Sequence, residues 1–68
     1  MVNTYLVELR TDHGLTQEQL ADKLGISLSA ISAYECGNRV PRDEVKLKIA
    51  EFFGVSVVDL FFTNHVSG

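Results

Sequence analysis

Sixty-eight residues, 46% of them apolar and 22% charged, with one proline, are enough for one small packed domain and exclude both a second core and a disordered chain. One cysteine, Cys36, excludes an internal disulfide, and the absence of a Cys/His cluster excludes a zinc staple, so the fold must rest on packing. Six Lys/Arg against nine Asp/Glu give a net charge of -3, which by itself speaks against a nucleic-acid partner. The distribution matters more. Residues 39–48 hold Arg39, Arg42, Lys46 and Lys48 against Asp43 and Glu44, whereas Arg10 and Lys23 face five acids in the preceding 38 positions.

Met1 to Leu9 contains Asn3, Thr4 and Glu8 and lacks a basic start followed by an apolar run, so it reads as no targeting signal and the chain as cytosolic. No apolar run approaches the ~20 residues needed to cross a bilayer. Leu6, Leu9 and Arg10 follow Thr4 at helical spacing, and this first helix is expected to stop near His13-Gly14. Thr16-Gln17-Glu18-Gln19 is a capping box, from which Leu20, Ala21 and Leu24 form an apolar face that Gly25 ends. Ser27 is the N-cap of a third helix with Ile31 and Tyr34 inward; the three-residue connection forces the two helices to cross steeply. Gly37-Asn38 forms a turn and Pro41 begins or precedes a fourth helix with Val45, Ile49, Phe52 and Phe53 as its buried stripe, closed by Gly54. Ser56 caps a short helix, Val57 to Phe62, and residues 63–68 form a polar tail. The expectation is one all-α, five-helix domain over residues 1–68.

Gln17 to Tyr34 reads as a helix-turn-helix, within bounds of about 16–36. Counting from Gln17, the fifth position is Ala21, small enough for close helix approach; the ninth is Gly25, able to take the positive φ of the turn; the fifteenth is Ile31, filling the corner. Each feature alone is weak; together, between two capped starts, they specify the motif. Nothing resembles a nucleophile-base-acid set, a phosphate loop or metal-ligand spacing, so an enzyme is not expected. His13 and His65 stand alone and read as surface residues, and Cys36 as an inert small residue, with redox sensing the lesser alternative.

Beyond these marks the chain resembles the Cro and phage-repressor-like helix-turn-helix regulators, the Xre family, over Leu6 to Phe62. The resemblance lies in Gly14-Leu15-Thr16-Gln17-Glu18-Gln19-Leu20-Ala21, Leu24-Gly25-Ile26-Ser27, Ile31-Ser32-Ala33-Tyr34-Glu35 and Ile49-Ala50-Glu51-Phe52-Phe53-Gly54-Val55-Ser56. It implies a compact lambda-repressor-like domain, a homodimer on double-stranded DNA, and repression at an inverted-repeat operator of phage or mobile-element type. It makes Gln17 a phosphate clamp, and it sets Ser27, Leu28, Ser29, Ser32 and Ala33 at the groove-facing side of a recognition helix. Gly37-Asn38-Arg39 would then offer backbone N–H groups and a cation to phosphate, with Arg42 flanking, and Arg10 would pair with Glu35 to fix helix docking. No cofactor, small-molecule effector or membrane is implied.

The chain departs from this family where Leu28 and Ala33 replace the usual long polar residues, and no Lys or Arg occurs between Ser27 and Asn38. Leu28, at a first helical turn, suits a thymine methyl; the alternative reading is an interaction module that docks a protein partner through Leu28. In the last helix Val57, Leu60 and Phe61 share a face directed at the core, leaving Val58 and Phe62, with Val66, as the expected dimer contact, unless the tail folds back over Phe62.

Overall fold

The computed structural model describes residues 2–61 and contains, among them, five α-helices and no strand: α1 (Thr4–Asp12), α2 (Gln17–Leu24), α3 (Leu28–Cys36), α4 (Asp43–Phe53) and α5 (Val57–Phe61). Local side-chain capping sets the starts of α1, α2, α3 and α5. Thr16 Oγ1 accepts from Gln19 N at 3.0 Å while Gln19 Oε1 accepts from Thr16 N at 2.9 Å, so the capping box of α2 is closed in both directions. Ser27 Oγ accepts from Ala30 N and Ser56 Oγ from Asp59 N, each at 3.1 Å. Asn3 caps α1 through Oδ1, donates from Nδ2 to the Leu60 carbonyl at 2.9 Å, and donates its own N–H to the Glu35 carbonyl at 2.8 Å. One residue thereby ties the start of α1 to α3 and α5. Only the α1 boundary, and not this tie, follows from the local sequence.

Between α2 and α3 the chain reverses within Gly25, Ile26 and Ser27. Gly25 has φ +71°, and Ile26 N donates to the Ala21 carbonyl at 3.0 Å, which closes α2 in a left-handed cap that a side chain at position 25 would strain. α2 and α3 form the most extensive helix pairing of the fold, with α4 against α2 and α5, and α1 against α3. Leu6, Leu20, Ile31 and Ile49, one from each of the first four helices, are the largest fully buried side chains, and Leu60 adds α5 to the same core.

The fourth helix departs from its expected stripe. Ile49 and Phe53 are buried and Val45 partly so, but Phe52 is exposed; Ala50 and Lys46 take inward positions instead. Phe52 lies edge-on to Phe53, ring centroids 5.0 Å apart, and the His13 ring meets Phe53 at 4.9 Å. His13 is exposed as expected yet is also a packing residue, its Nδ1 donating to the Leu9 carbonyl at 2.8 Å. In α5, Leu60 is buried, Val57 and Phe61 are partly buried, and Val58 is 59% exposed, the division that the i, i+3, i+4 spacing predicts. Phe62, Val66 and the rest of the expected polar tail lie outside the described residues.

Ile31 is inaccessible to solvent and belongs to the core at the α2–α3 corner. Ile31→Ala is expected to cost about 2–5 kcal/mol, a large part of the stability of so small a domain. A urea or thermal unfolding curve measures it, and a melting temperature within a degree or two of the parent contradicts this packing role.

Candidate nucleic-acid interface

The site begins with a buried acid. Glu35, 4% exposed near the carboxyl end of α3, receives Arg10 Nε at 2.6 Å and Nη2 at 3.2 Å, a bidentate pair between α1 and α3. Arg10 also donates from Nη1 to the Leu15 carbonyl at 2.7 Å, fixing the chain between α1 and α2. Gln17 Nε2, on the first turn of α2, donates to Glu35 Oε1 at 2.9 Å. Spacing alone placed Gln17 at the start of the motif; it did not reveal that its amide is oriented by the same carboxylate that holds Arg10. That amide nitrogen carries a second hydrogen, and Gln17 is partly exposed, so this bond orients the group and leaves one donor over.

The outward strip of α3 is free of charge. Leu28 is 48% exposed, Ser29 is exposed, Ser32 and Ala33 are partly exposed, and Cys36 continues the strip at the helix end. Ser27 Oγ, besides capping α3, lies 3.2 Å from Ser29 Oγ. The single ionisable carboxylate within Ser27 to Asn38 is Glu35, turned inward.

Beyond α3 the loop corrects one expectation. The N–H groups of Gly37, Asn38 and Arg39 do not stand open to a phosphate: Gly37 N donates to the Tyr34 carbonyl at 3.3 Å, and Asn38 N and Arg39 N to the Ala33 carbonyl at 2.9 and 3.3 Å. They close the end of α3 around Gly37 at φ +81°. What the loop presents outward is the exposed side chains of Asn38 and Arg39, with the Arg39 guanidinium 5.9 Å from the Tyr34 ring centroid. Arg42 is exposed at the N-cap of α4 and makes no side-chain capping bond.

Nor does the basic segment form one patch. Lys46 is 8% exposed, with Nζ 5.9 Å from the Phe61 ring centroid and 3.9 Å from Asp43 Oδ1, so its charge holds α5 on α4. Lys48 Nζ donates to the Leu24 carbonyl at 3.0 Å, a cation at the negative end of α2. The four-residue charge run thus divides: Arg39 and Arg42 face solvent beyond α3, while Lys46 and Lys48 serve packing and capping. Charge counting misses this because the 3- and 4-residue steps that bring Lys46 inward are visible only once α4 is oriented by Ile49 and Phe53.

A helix-turn-helix family model matches residues 6–60, a span that runs from within α1 to within α5 and includes α2, α3, α4 and the buried Arg10–Glu35 pair. The chain belongs to this helix-turn-helix family. It is 50% identical over 52 residues to an HTH-type transcriptional regulator of Methanocaldococcus jannaschii, covering 76% of this chain and 79% of that protein. It is 45% identical over 58 residues to the HTH-type transcriptional activator BcrR of Enterococcus faecalis, covering 85% of this chain but 28% of BcrR. The cryptic phage CTXphi transcriptional repressor RstR of Vibrio cholerae is 33% identical over 60 residues, 88% of this chain and 54% of RstR. The chain therefore spans most of the first relative and only a part of the other two. The family is one of transcriptional regulators with a helix-turn-helix DNA-binding domain.

Removing one member of the buried pair leaves the other uncompensated. Glu35→Leu is expected to destabilise the domain by about 3–5 kcal/mol, and adding Arg10→Met is expected to recover most of that loss. Urea titrations of the parent, both single variants and the double variant measure the coupling; additive losses would show that the pair is not a unit.

Proposed function

We propose that this helix-turn-helix regulator is a cytoplasmic homodimeric repressor of phage or mobile-element type, binding an inverted-repeat operator with one α3 in the major groove of each half-site. The observation that carries the reading is the division of labour around α3. Gln17 and Arg39 both rest on its carboxyl-terminal end, one through Glu35 and the other beside the Tyr34 ring, while Leu28 and Ser29 on its first turn are exposed and uncharged. A recognition helix meets base edges with its amino-terminal residues while polar and cationic groups around it hold phosphates. In this reading Gln17, Asn38, Arg39 and Arg42 contact the backbone, and Ser27, Leu28, Ser29, Ser32 and Ala33 face the bases. Repression is favoured by the likeness to a protein named as a phage repressor; the likeness to a protein named as an activator makes the opposite sign the outcome to test against.

Dimerisation rests on the last helix. Val58 is exposed on α5, and Phe62, one helical turn on in sequence, is its i+4 partner in the amino-acid pattern. A two-fold contact through this face, extended by Val66, places two recognition helices on one side of DNA with half-sites about 34 Å apart. Sedimentation of Phe62→Ser at the parent's concentration is expected to show a folded monomer with weakened operator binding; a variant that stays dimeric locates the interface elsewhere.

A second reading has its own support. Leu28, half-exposed on the uncharged outward strip of α3 in an acidic chain, equally suits a protein partner. Salt separates the two. Replacing Arg39 or Arg42 with alanine is expected to weaken binding to all duplexes about equally and to lower the slope of log affinity against log salt by about one per contact in each subunit. Fluorescence anisotropy at several salt concentrations measures this slope, and binding to duplex with no salt dependence contradicts the DNA reading.

A further inference from the structure

We propose that the first turn of α3 reads the C5-methyl group of a pyrimidine in the major groove and does not distinguish thymine from 5-methylcytosine at that position. This rests on the DNA-binding reading and adds the chemistry of the base it selects.

Two independent features carry it. The first is Leu28, 48% exposed at the beginning of the recognition helix, with a side chain that has no hydrogen-bonding atom. Among the groups that base pairs display in the major groove, the apolar one is the methyl on C5 of thymine. A leucine held there gains by covering that methyl and gains nothing from a bare C5 hydrogen. 5-Methylcytosine carries the same methyl on the same ring atom.

The second feature decides what happens at the polar edge beside it, where thymine presents the O4 acceptor and 5-methylcytosine the N4 donor. The nearest polar groups along the chain are Ser27 and Ser29, whose hydroxyl oxygens lie 3.2 Å apart with either able to donate. Ser27 Oγ already accepts from Ala30 N. If the Ser29 proton points to Ser27, the Ser29 oxygen accepts from outside; if Ser27 donates to Ser29, the Ser29 proton is free to point outward. The pair can answer an acceptor or a donor by rotating two hydroxyl hydrogens. A Gln or Arg would enforce one pattern; the groove side of α3 has neither before Asn38. The methyl is therefore selected and the exocyclic group is tolerated.

The test uses the full chain. Selection from random duplexes yields a preferred site, and the thymine whose preference is lost in Leu28→Ala marks the position read by Leu28. Four probes then carry thymine, uracil, cytosine or 5-methylcytosine at that position, each with its complementary purine. Uracil is expected to weaken anisotropy-measured binding by about fourfold per half-site, the effect of leaving one methyl-sized apolar group unburied. Unmethylated cytosine is expected to bind at least as weakly as uracil, 5-methylcytosine to stay within about threefold of thymine, and Leu28→Ala to erase the thymine–uracil difference. Equal binding of thymine and uracil, 5-methylcytosine as weak as cytosine, or a selected site in which no thymine responds to Leu28→Ala overturns the inference while leaving DNA binding standing. A selection that enriches no duplex overturns both.

Discussion

A single buried carboxylate organises the molecule. Glu35 accepts from two nitrogens of Arg10 and one of Gln17, while Arg10 reaches on to the Leu15 carbonyl. Three helices and one connection are therefore fixed to each other through polar contacts that have direction, unlike the apolar core beneath them. Burying these charges costs desolvation that their attraction only partly offsets, so the network's contribution is geometrical more than energetic. Leu6, Leu20, Ile31 and Ile49 hold the helices together, but apolar packing tolerates small slides. A bidentate arginine does not. The orientation of α3 relative to α1, and of Gln17 relative to α3, follows from this network.

The same economy governs the remaining charges. Of the six Lys/Arg, Arg10 serves the buried pair, Lys46 lies against Phe61, and Lys48 meets the end of α2. Half of the cationic charge thus acts within the fold, which is why a count of -3 says little about what the surface around α3 offers. Arg39 and Arg42 are near the carboxyl end of α3, and the nine acids contribute one residue to that helix, facing inward. A local field, and not the net charge, is what a phosphate would meet within a Debye length of about 10 Å.

Most of the architecture was legible because its signals are local. Thr16 with Gln19, Ser27 before α3, and glycines after four helices are capping chemistry that acts over three or four residues, and the structure places the boundaries there. What escaped needs contacts distant in sequence. The Asn3 bond to the Leu60 carbonyl spans 57 positions. Gln17 pairs with a residue 18 positions away, and Phe52 looks like core by spacing until Ala50 and Phe53 turn α4 by part of a turn. The resemblance implies N–H groups of Gly37 to Arg39 open to phosphate; the carbonyls at the end of α3 take those donors first. In the site, side-chain identity was legible and side-chain commitment was not.

That distinction bears on how a helix without long polar side chains can serve recognition. Arginine or glutamine brings reach and a fixed donor pattern, at the cost of ordering a flexible chain. Leu28, Ser29, Ser32 and Ala33 are short, so they can touch bases only if the helix itself is seated deeply and held in one register. Seating then depends on the backbone contacts, and register on the rigidity of α3 within the domain. The Glu35 network supplies that rigidity at the carboxyl end, and the Ser27 cap with the core residue Ile31 supplies it at the amino end. Placing the polar machinery inside the fold and the small side chains outside is consistent with the proposed DNA-binding reading, in which the helix as a body, and not its individual side chains, would do the positioning.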